Sequence, residues 1–447
     1  MKISIIGTGY VGLVTGVCLA EKGHQVNCID LDIDKVRKIN QGIPPIFERG
    51  LDDLLKKNLQ KTFSAGTDLR EAIMHTQLSI IAVGTPFDGK SIDLTSIKQV
   101  AREIGLILKD KEEFHVVLVK STVVPGTTED VVLPIIEECS GKKHGIDFGI
   151  GMNPEFLREG AAISDFMNPD RIVLGSSDSK TLMVLEEVYE VFRNVDIIKT
   201  DTNTAEMIKY TTNSLLATLI SFTNEIANLC NALGKIDVVD VMNGVCKDNR
   251  FSPILSDGSR ITPGFISYLA AGCGFGGSCF PKDVKALISH GKNKGVGMDL
   301  LDSVIRINEA QPKVVLDLLE KHFKKLMGLR VAVLGLAFKP ETDDMRESPA
   351  IPIINHLLNK GARIEAYDPI AQIEAEKLFG NHQISYHNDL SQTIEGAEVV
   401  ILLTKWDEFR KVPDMISSVN PQPLFIDGRR MLEKTSFNHY EGIGLGL

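Results

Sequence analysis

The chain has 447 residues, room for two or three domains at roughly 150 residues each and for a core that needs no disulfide or metal staple. Its 43% hydrophobic and 24% charged content excludes wholesale disorder, and 59 acidic against 49 basic residues speak against a general nucleic-acid or anionic-membrane binder. Any anionic ligand has to meet a local gathering of Lys and Arg.

Segments 3–6, 25–29 and 78–83 are short, apolar and bounded by Gly, Asp or Pro, as parallel strands buried on both faces are. Segment 116–119, leading into Lys120-Ser121-Thr122, and a further one around 148–151 continue the series. This alternation predicts a doubly wound sheet over about the first 200 residues. Between about 204 and 233 there is neither Pro nor Gly, while Met207, Ile208, Leu215, Leu216, Leu219, Ile226, Leu229 and Cys230 recur at helical spacing, which predicts one long helix. After residue 328 the opening pattern returns: Arg330-Val331-Ala332-Val333-Leu334-Gly335 repeats the first strand and turn, 363–367 with Asp368 repeats the second strand and Asp30, and 399–403 and 424–426 follow. The expected fold class is α/β. Two Rossmann-like doubly wound domains, 1–200 and 313–447, are joined by a long central helix and a helical middle domain at 201–312. The apolar positions of the long helix exceed one stripe, which predicts a homodimer through it.

Gly7-Thr8-Gly9-Tyr10-Val11-Gly12 is a GxGxxG between a strand and a helix. The first glycine allows the tight turn, the second lets backbone approach a pyrophosphate, and the third lets helix pack on strand. Asp30 ends the second strand, where a carboxylate accepts hydrogen bonds from a ribose and repels a 2′-phosphate, so the cofactor expected is NAD. Lys35 lies near the same pocket, although by itself it reads first as a solvated surface lysine.

The densest chemical signal is Gly272-Cys273-Gly274-Phe275-Gly276-Gly277-Ser278-Cys279-Phe280-Pro281-Lys282-Asp283. Ser278 can cap a helix that tolerates Pro281 in its first turn. Cys279 then stands at a helix N-terminus, where the dipole and Lys282 support a thiolate. Asp283, four residues on, shares its face. Most cysteines are small buried hydrophobes, a reading that suits Cys18, Cys28 and Cys230. Lys209 and Asn213 are an i,i+4 pair within the apolar pattern of the long helix, either a snorkelling rim lysine or a functional cation. Asn153-Pro154-Glu155-Phe156-Leu157-Arg158-Glu159-Gly160 puts two carboxylates after a predicted strand, at the end of the sheet where ligands bind.

Together these motifs resemble the UDP-glucose/GDP-mannose dehydrogenase family, most closely its UDP-glucose branch. The resemblance runs essentially end to end. It rests on the glycine turn, Gly84-Thr85-Pro86, Ser121-Thr122-Val123, 153–160, 206–213, 274–283, 335–339 and Arg346-Glu347-Ser348-Pro349. It implies an NAD-dependent four-electron oxidation of UDP-glucose to UDP-glucuronate through a Cys279 thiohemiacetal and thioester. In it Lys209 and Asn213 stabilise oxyanions, and Asp283, Glu155 and a water held by Thr122 share proton transfers. The resemblance also implies that Gly7, Gly9, Tyr10, Val11, Gly12, Asp30, Lys35, Thr85, Thr122, Glu159, Lys282 and Arg346 surround NAD. The UDP-sugar would be contacted by Glu155, Phe156, Leu157, Arg158, Glu159, Lys209, Asn213, Tyr268, Leu269, Ala270, Ala271, Gly272, Gly276 and Lys339. Tyr268 would stack on uracil, and Arg260 and Arg429 would meet carboxylate or phosphate, Arg260 from a neighbouring subunit. About three residues more than the family pattern lie in Thr262-Pro263-Gly264-Phe265-Ile266-Ser267, so the register of Arg260 and the choice between Phe265 and Tyr268 stay open.

GDP-mannose 6-dehydrogenase is the nearest rival, set behind by the Ser-Cys-Phe-Pro-Lys-Asp run and Pro169-Asp170-Arg171-Ile172-Val173. A two-electron 3-hydroxyacid dehydrogenase needs neither Cys279 nor a second nucleotide-like domain. A regulatory protein that has lost turnover would not keep every catalytic-type residue. Seven cysteines at irregular spacing with no CxxC pair indicate neither a disulfide framework nor a metal site. With no leader pattern at Met1-Lys2 and no apolar run of spanning length, the expected location is the cytoplasm, with neither nucleic acid nor membrane as partner.

Overall fold

The computed structural model describes residues 1–380, 383–417 and 419–446. It divides into two compact units, Met1–Thr212 and Asn213–Leu447, with the division inside the single helix Thr202–Leu233.

The first unit is built on strands β1 (Lys2–Ile6), β2 (Gln25–Ile29), β3 (Phe63–Gly66), β4 (Leu78–Ile81), β5 (His115–Val119), β6 (Phe148–Met152), β7 (Arg171–Gly175) and β8 (Asp196–Thr200). Their order is β3-β2-β1-β4-β5-β6-β7-β8, parallel except at β6–β7. Because side chains alternate across a strand, each apolar run feeds two cores. Ile3, Ile5, Ile80, Val116 and Leu118 pack on one face with Leu13, Val14 and Val17, while Ile6, Ile81, Val117 and Val119 pack on the other with Ile97, Ile104 and Ile136. Among the buried polar groups, Ser79 bridges the Ser4 hydroxyl at 2.7 Å and His115 Nε2 at 2.8 Å. Burial holds that imidazole neutral, pushed down to about 3. β1 lies between β2 and β4, so the chain reverses its direction of winding there and opens a crevice at the C-terminal strand ends.

The second unit repeats the plan. Its strands β9 (Arg330–Leu334), β10 (Arg363–Tyr367), β11 (Ile384–Tyr386), β12 (Val399–Leu402), β13 (Leu424–Asp427) and β14 (Tyr440–Gly442) run in the order β11-β10-β9-β12-β13-β14. Helices Val238–Cys246, Phe280–Asn293 and Asp299–His322 precede them. Val238, Met242, Val315 and Leu319 share one core with Val331, Val333 and Ile401, so this helical segment and the sheet are packed as one body.

The strands anticipated from sequence are present. β3, β7, β8, β11 and β14 are additional. β3 buries one side chain fully and β8 none, so neither carries the apolar run that marks a central strand.

Candidate active site

The glycine turn of the first unit has the shape of a dinucleotide cradle. Gly7 has φ +100°, and a Cβ there would stand 2.7 Å from the Ala82 carbonyl oxygen. A Cβ on Gly12 would meet the Gly7 carbonyl at 1.9 Å, whereas one on Gly9 would meet nothing within 4 Å. The turn is thus packed from behind and open in front, where a pyrophosphate approaches the helix N-terminus. Asp30 accepts from the Thr8 amide at 2.8 Å, the Thr8 hydroxyl at 2.6 Å and the Asp32 amide at 3.0 Å. Burial favours its neutral form, yet these donors and Lys35 hold the carboxyl below its usual range, so it stays an anion able to accept ribose hydroxyls. The residues present therefore fit NAD. Thr85 donates to the Thr122 carbonyl at 2.7 Å, joining the ends of the β4 and β5 loops. The Tyr10 hydroxyl donates to Glu48.

The equivalent acid of the second unit is not available in this way. Asp368, 1% exposed, accepts from the Leu336 and Ala337 amides and Trp406 Nε1 on one oxygen and from the Ile370 and Ala371 amides on the other. Five donors saturate a carboxylate with about four lone-pair sites.

In the first unit, Lys209 Nζ meets Glu155 Oε1 at 2.8 Å, both nearly fully buried. Burial pushes Glu155 towards neutrality, but Lys209, the Leu157 amide and Lys120 outweigh it and hold the carboxyl below its usual range. Lys120 was given no role from sequence. It directly follows β5, donates to Asn153 Oδ1 at 2.7 Å, and burial pushes it down to about 8. A lysine directly after four buried apolar residues was the available signal. Phe156 carries the Arg171 guanidinium 3.9 Å above its ring. Arg158 instead forks onto Asp165 at 2.6 and 3.0 Å.

In the second unit, Cys279 is itself the N-cap of the helix Phe280–Asn293, with Pro281 in the first turn. Ser278, expected as the cap, lies one residue before it, its hydroxyl 3.6 Å from the thiol. Asp283 is fully buried and held from both sides, by Asn213 Nδ2 at 2.6 Å and Lys282 Nζ at 2.5 Å. Lys282 is therefore engaged by Asp283 as well as placed near the thiol by sequence.

The glycine-rich loop before Cys279 is fixed along its length. The Gly272 amide donates to Asn224 Oδ1 at 2.9 Å, the Gly272 carbonyl accepts from Gln311 at 3.0 Å, and Asn308 clamps both backbone groups of Phe275 at 2.7 and 2.9 Å. Gly277 donates to the Arg346 carbonyl at 2.8 Å, and a Cβ on Gly276 would strike the Glu347 carbonyl at 2.2 Å. Asn224, Asn308 and Gln311 were missed from sequence, where they read only as polar residues on helices.

Tyr268 packs against Phe280 at 6.2 Å between ring centroids, on the turn Gly264–Tyr268 that leads to Leu269, Ala270 and Ala271. The remaining cations are held by their own unit. Arg429 donates to the carbonyls of Leu403, Gly274 and Phe338, Arg260 to those of Lys247 and Ser252, and Arg346 forks onto Asp344, while Lys339 lies 5.5 Å from the Phe338 ring.

Three descriptions of one family match the chain in order: the NAD binding domain of the UDP-glucose/GDP-mannose dehydrogenase family over residues 1–193, its central domain over 203–310 and its UDP binding domain over 332–434. A UDP-glucose 6-dehydrogenase of Haloferax volcanii is 41% identical over 448 residues, covering 99% of this chain and 100% of that protein. A GDP-mannose 6-dehydrogenase of Pseudomonas putida is also 41% identical, over 421 residues and 92% of each chain. The solved structure of a UDP-glucose dehydrogenase from the archaeon Pyrobaculum islandicum superposes with a TM-score of 0.89 at 37% identity, covering 99% of this chain and 97% of that one.

Proposed function

The chain belongs to the UDP-glucose/GDP-mannose dehydrogenase family, and from that premise we propose that it oxidises the C6 alcohol of UDP-glucose to the carboxylate of UDP-glucuronate, with Cys279 as nucleophile. As an NAD-dependent nucleotide-sugar 6-dehydrogenase it works on a nucleotide-sugar substrate. The observation that carries the finer reading is Cys279 at a helix N-terminus, one turn before the clamped Asp283 and after a loop pinned by three side chains. A two-electron alcohol oxidation has no use for such a thiol.

NAD supplies the hydride acceptor in each of two oxidations. In the first, the C6 hydroxyl loses its proton and the carbon becomes an aldehyde. The Cys279 sulfur then bonds to C6, and the carbonyl electron pair moves onto oxygen as an alkoxide that Lys209 and Asn213 stabilise. Loss of the second hydride from this tetrahedral carbon restores the C=O bond and leaves a thioester. Water adds to C6, the C–S bond breaks, and the thiolate departs at a helix N-terminus, where negative charge is favoured. Asp283, Glu155 and a water on Thr122 share the protons. Glu155, already ionised beside Lys209, can accept one when that pair loosens.

In this reading residues 1–200 hold NAD, residues 313–447 the UDP-sugar, and residues 201–312 serve pairing. Glu155, Phe156, Leu157, Glu159, Gly276 and Lys339 contact the sugar nucleotide, with Tyr268 on the uracil. The enzyme acts in the cytoplasm as a homodimer. Equal identity to a UDP-glucose and a GDP-mannose enzyme makes the nucleotide the point to test. With limiting sugar nucleotide and excess NAD, two NADH per UDP-glucose and none with GDP-mannose are expected. One NADH per sugar would reject the thioester, and two with GDP-mannose alone would move the substrate.

A further inference from the structure

Glu48 lies in the connection between helices Ile33–Asn40 and Leu51–Asn58 and is 4% exposed. One of its oxygens accepts the Tyr10 hydroxyl and the Gly160 amide, the latter at 2.7 Å; the other accepts the Ala162 amide at 2.9 Å. The Gly160 amide also stands 3.2 Å from the Tyr10 oxygen. These donors belong to two segments far apart in sequence. Tyr10 is the first residue of the helix after Gly9, at the mouth of the dinucleotide cradle. Gly160, at φ +79°, is where the 153–160 loop turns into the helix Ala162–Met167. Burial and the Glu48 carboxylate push the Tyr10 phenol far up, so it keeps its proton and remains the donor.

A buried carboxylate is a poor device for stability alone, since desolvation offsets much of what its bonds return. It is a good device for fixing geometry. We propose that Glu48 is a positioning residue that couples the dinucleotide turn to the loop carrying Glu155 and Glu159. A ligand seated over Gly9 fixes the first turn of its helix, hence the Tyr10 hydroxyl, hence the Glu48 carboxylate and the backbone at Gly160 and Ala162. NAD and the nucleotide sugar therefore bind with positive coupling. This rests on the assignment of the 155–159 loop to the nucleotide sugar.

The test is calorimetric titration of UDP-glucose, and in parallel GDP-mannose, into the full chain with and without saturating NADH, which binds without turnover. In wild type, NADH tightens the sugar nucleotide about tenfold, within the usual range of coupling between sites. Glu48→Gln must turn an amide NH2 towards either the Gly160 or the Ala162 N–H; its coupling falls within about twofold of unity, and KM for the sugar nucleotide rises about tenfold while kcat stays within about twofold. Tyr10→Phe keeps the carboxylate's bonds to Gly160 and Ala162 but cuts the link to the turn, and it also loses most of the coupling. Coupling equal in wild type and both variants, or absent from wild type, overturns the inference. Wild type that binds neither sugar nucleotide would overturn the substrate reading and this inference with it, a result distinct from binding without coupling.

Discussion

Cys279 and Asp283 are one helical turn apart, and the neighbouring side chains treat them differently. Asp283 is clamped between Asn213 and Lys282, whereas the thiol sits at the positive end of the helix beside Ser278. Such an arrangement keeps the carboxylate still one turn from a sulfur at a helix N-terminus, where negative charge is favoured. In the proposed reaction, replacing sulfur by a hydroxyl removes the nucleophile while keeping a side chain of similar shape at the end of the loop. Cys279→Ser is therefore expected to lower UDP-glucuronate formation on the order of a thousandfold or more, with NADH affinity, read by nucleotide fluorescence, within about twofold of wild type. Turnover near the wild-type rate would exclude the covalent route. Asp30 and Asp368 teach a related lesson. They occupy the same place in the two repeats, yet Asp368 is saturated by five donors and Asp30 is not.

The loop that carries Thr122 is held at its far end by another element. Glu206, on the helix Thr202–Leu233, accepts from the Gly126 amide at 2.7 Å, the Thr128 amide at 2.9 Å and the Thr128 hydroxyl at 2.6 Å. Burial, partly offset by those donors, pushes its carboxyl up to about 7 from 4.5. The folded state therefore binds the proton more tightly than the unfolded chain. Protonated Glu206 favours folding fully below pH 4.5, and the contribution, on the order of 3 kcal/mol, is lost as pH rises through 7. In urea unfolding, wild type should weaken relative to Glu206→Ala by that order between pH 4.5 and 8, whatever constant offset the missing side chain adds. A pH-independent difference between the two would show that the carboxylate is ionised throughout.

For the whole molecule, the long helix leaves Leu215, Phe222 and Leu229, spaced by seven residues, exposed at 58%, 49% and 53%. A stripe with this period suits a paired helix, because a seven-residue repeat keeps the same face towards a partner. Phe222→Glu puts a charge in its centre. Sedimentation is expected to show a homodimer for wild type and at least a tenfold weaker dimer for the variant, since burying an unpaired charge costs several kcal/mol. Unchanged assembly would place the pairing surface elsewhere. No helix among the described residues is long and apolar enough to cross a membrane.

Much of this was written locally in the chain. Strands β1, β2, β4, β5 and β9 are apolar runs ended by Gly, Asp or Lys, the long helix is a stretch without Pro or Gly, and Cys279 precedes a Pro-marked helix start. Each signal depends on residues two to four positions apart, so local spacing along the chain is enough to specify the α/β repeat, the NAD-type turn and the cysteine helix. What lies between distant positions follows from the three-dimensional packing alone. It set Glu48 against Gly160, 112 residues away, and Asn308 against Phe275, 33 residues away, and it closed Asp368 while leaving Asp30 able to bind. A buried polar group's role is fixed by which loops converge on it, and no periodicity along the chain records that convergence.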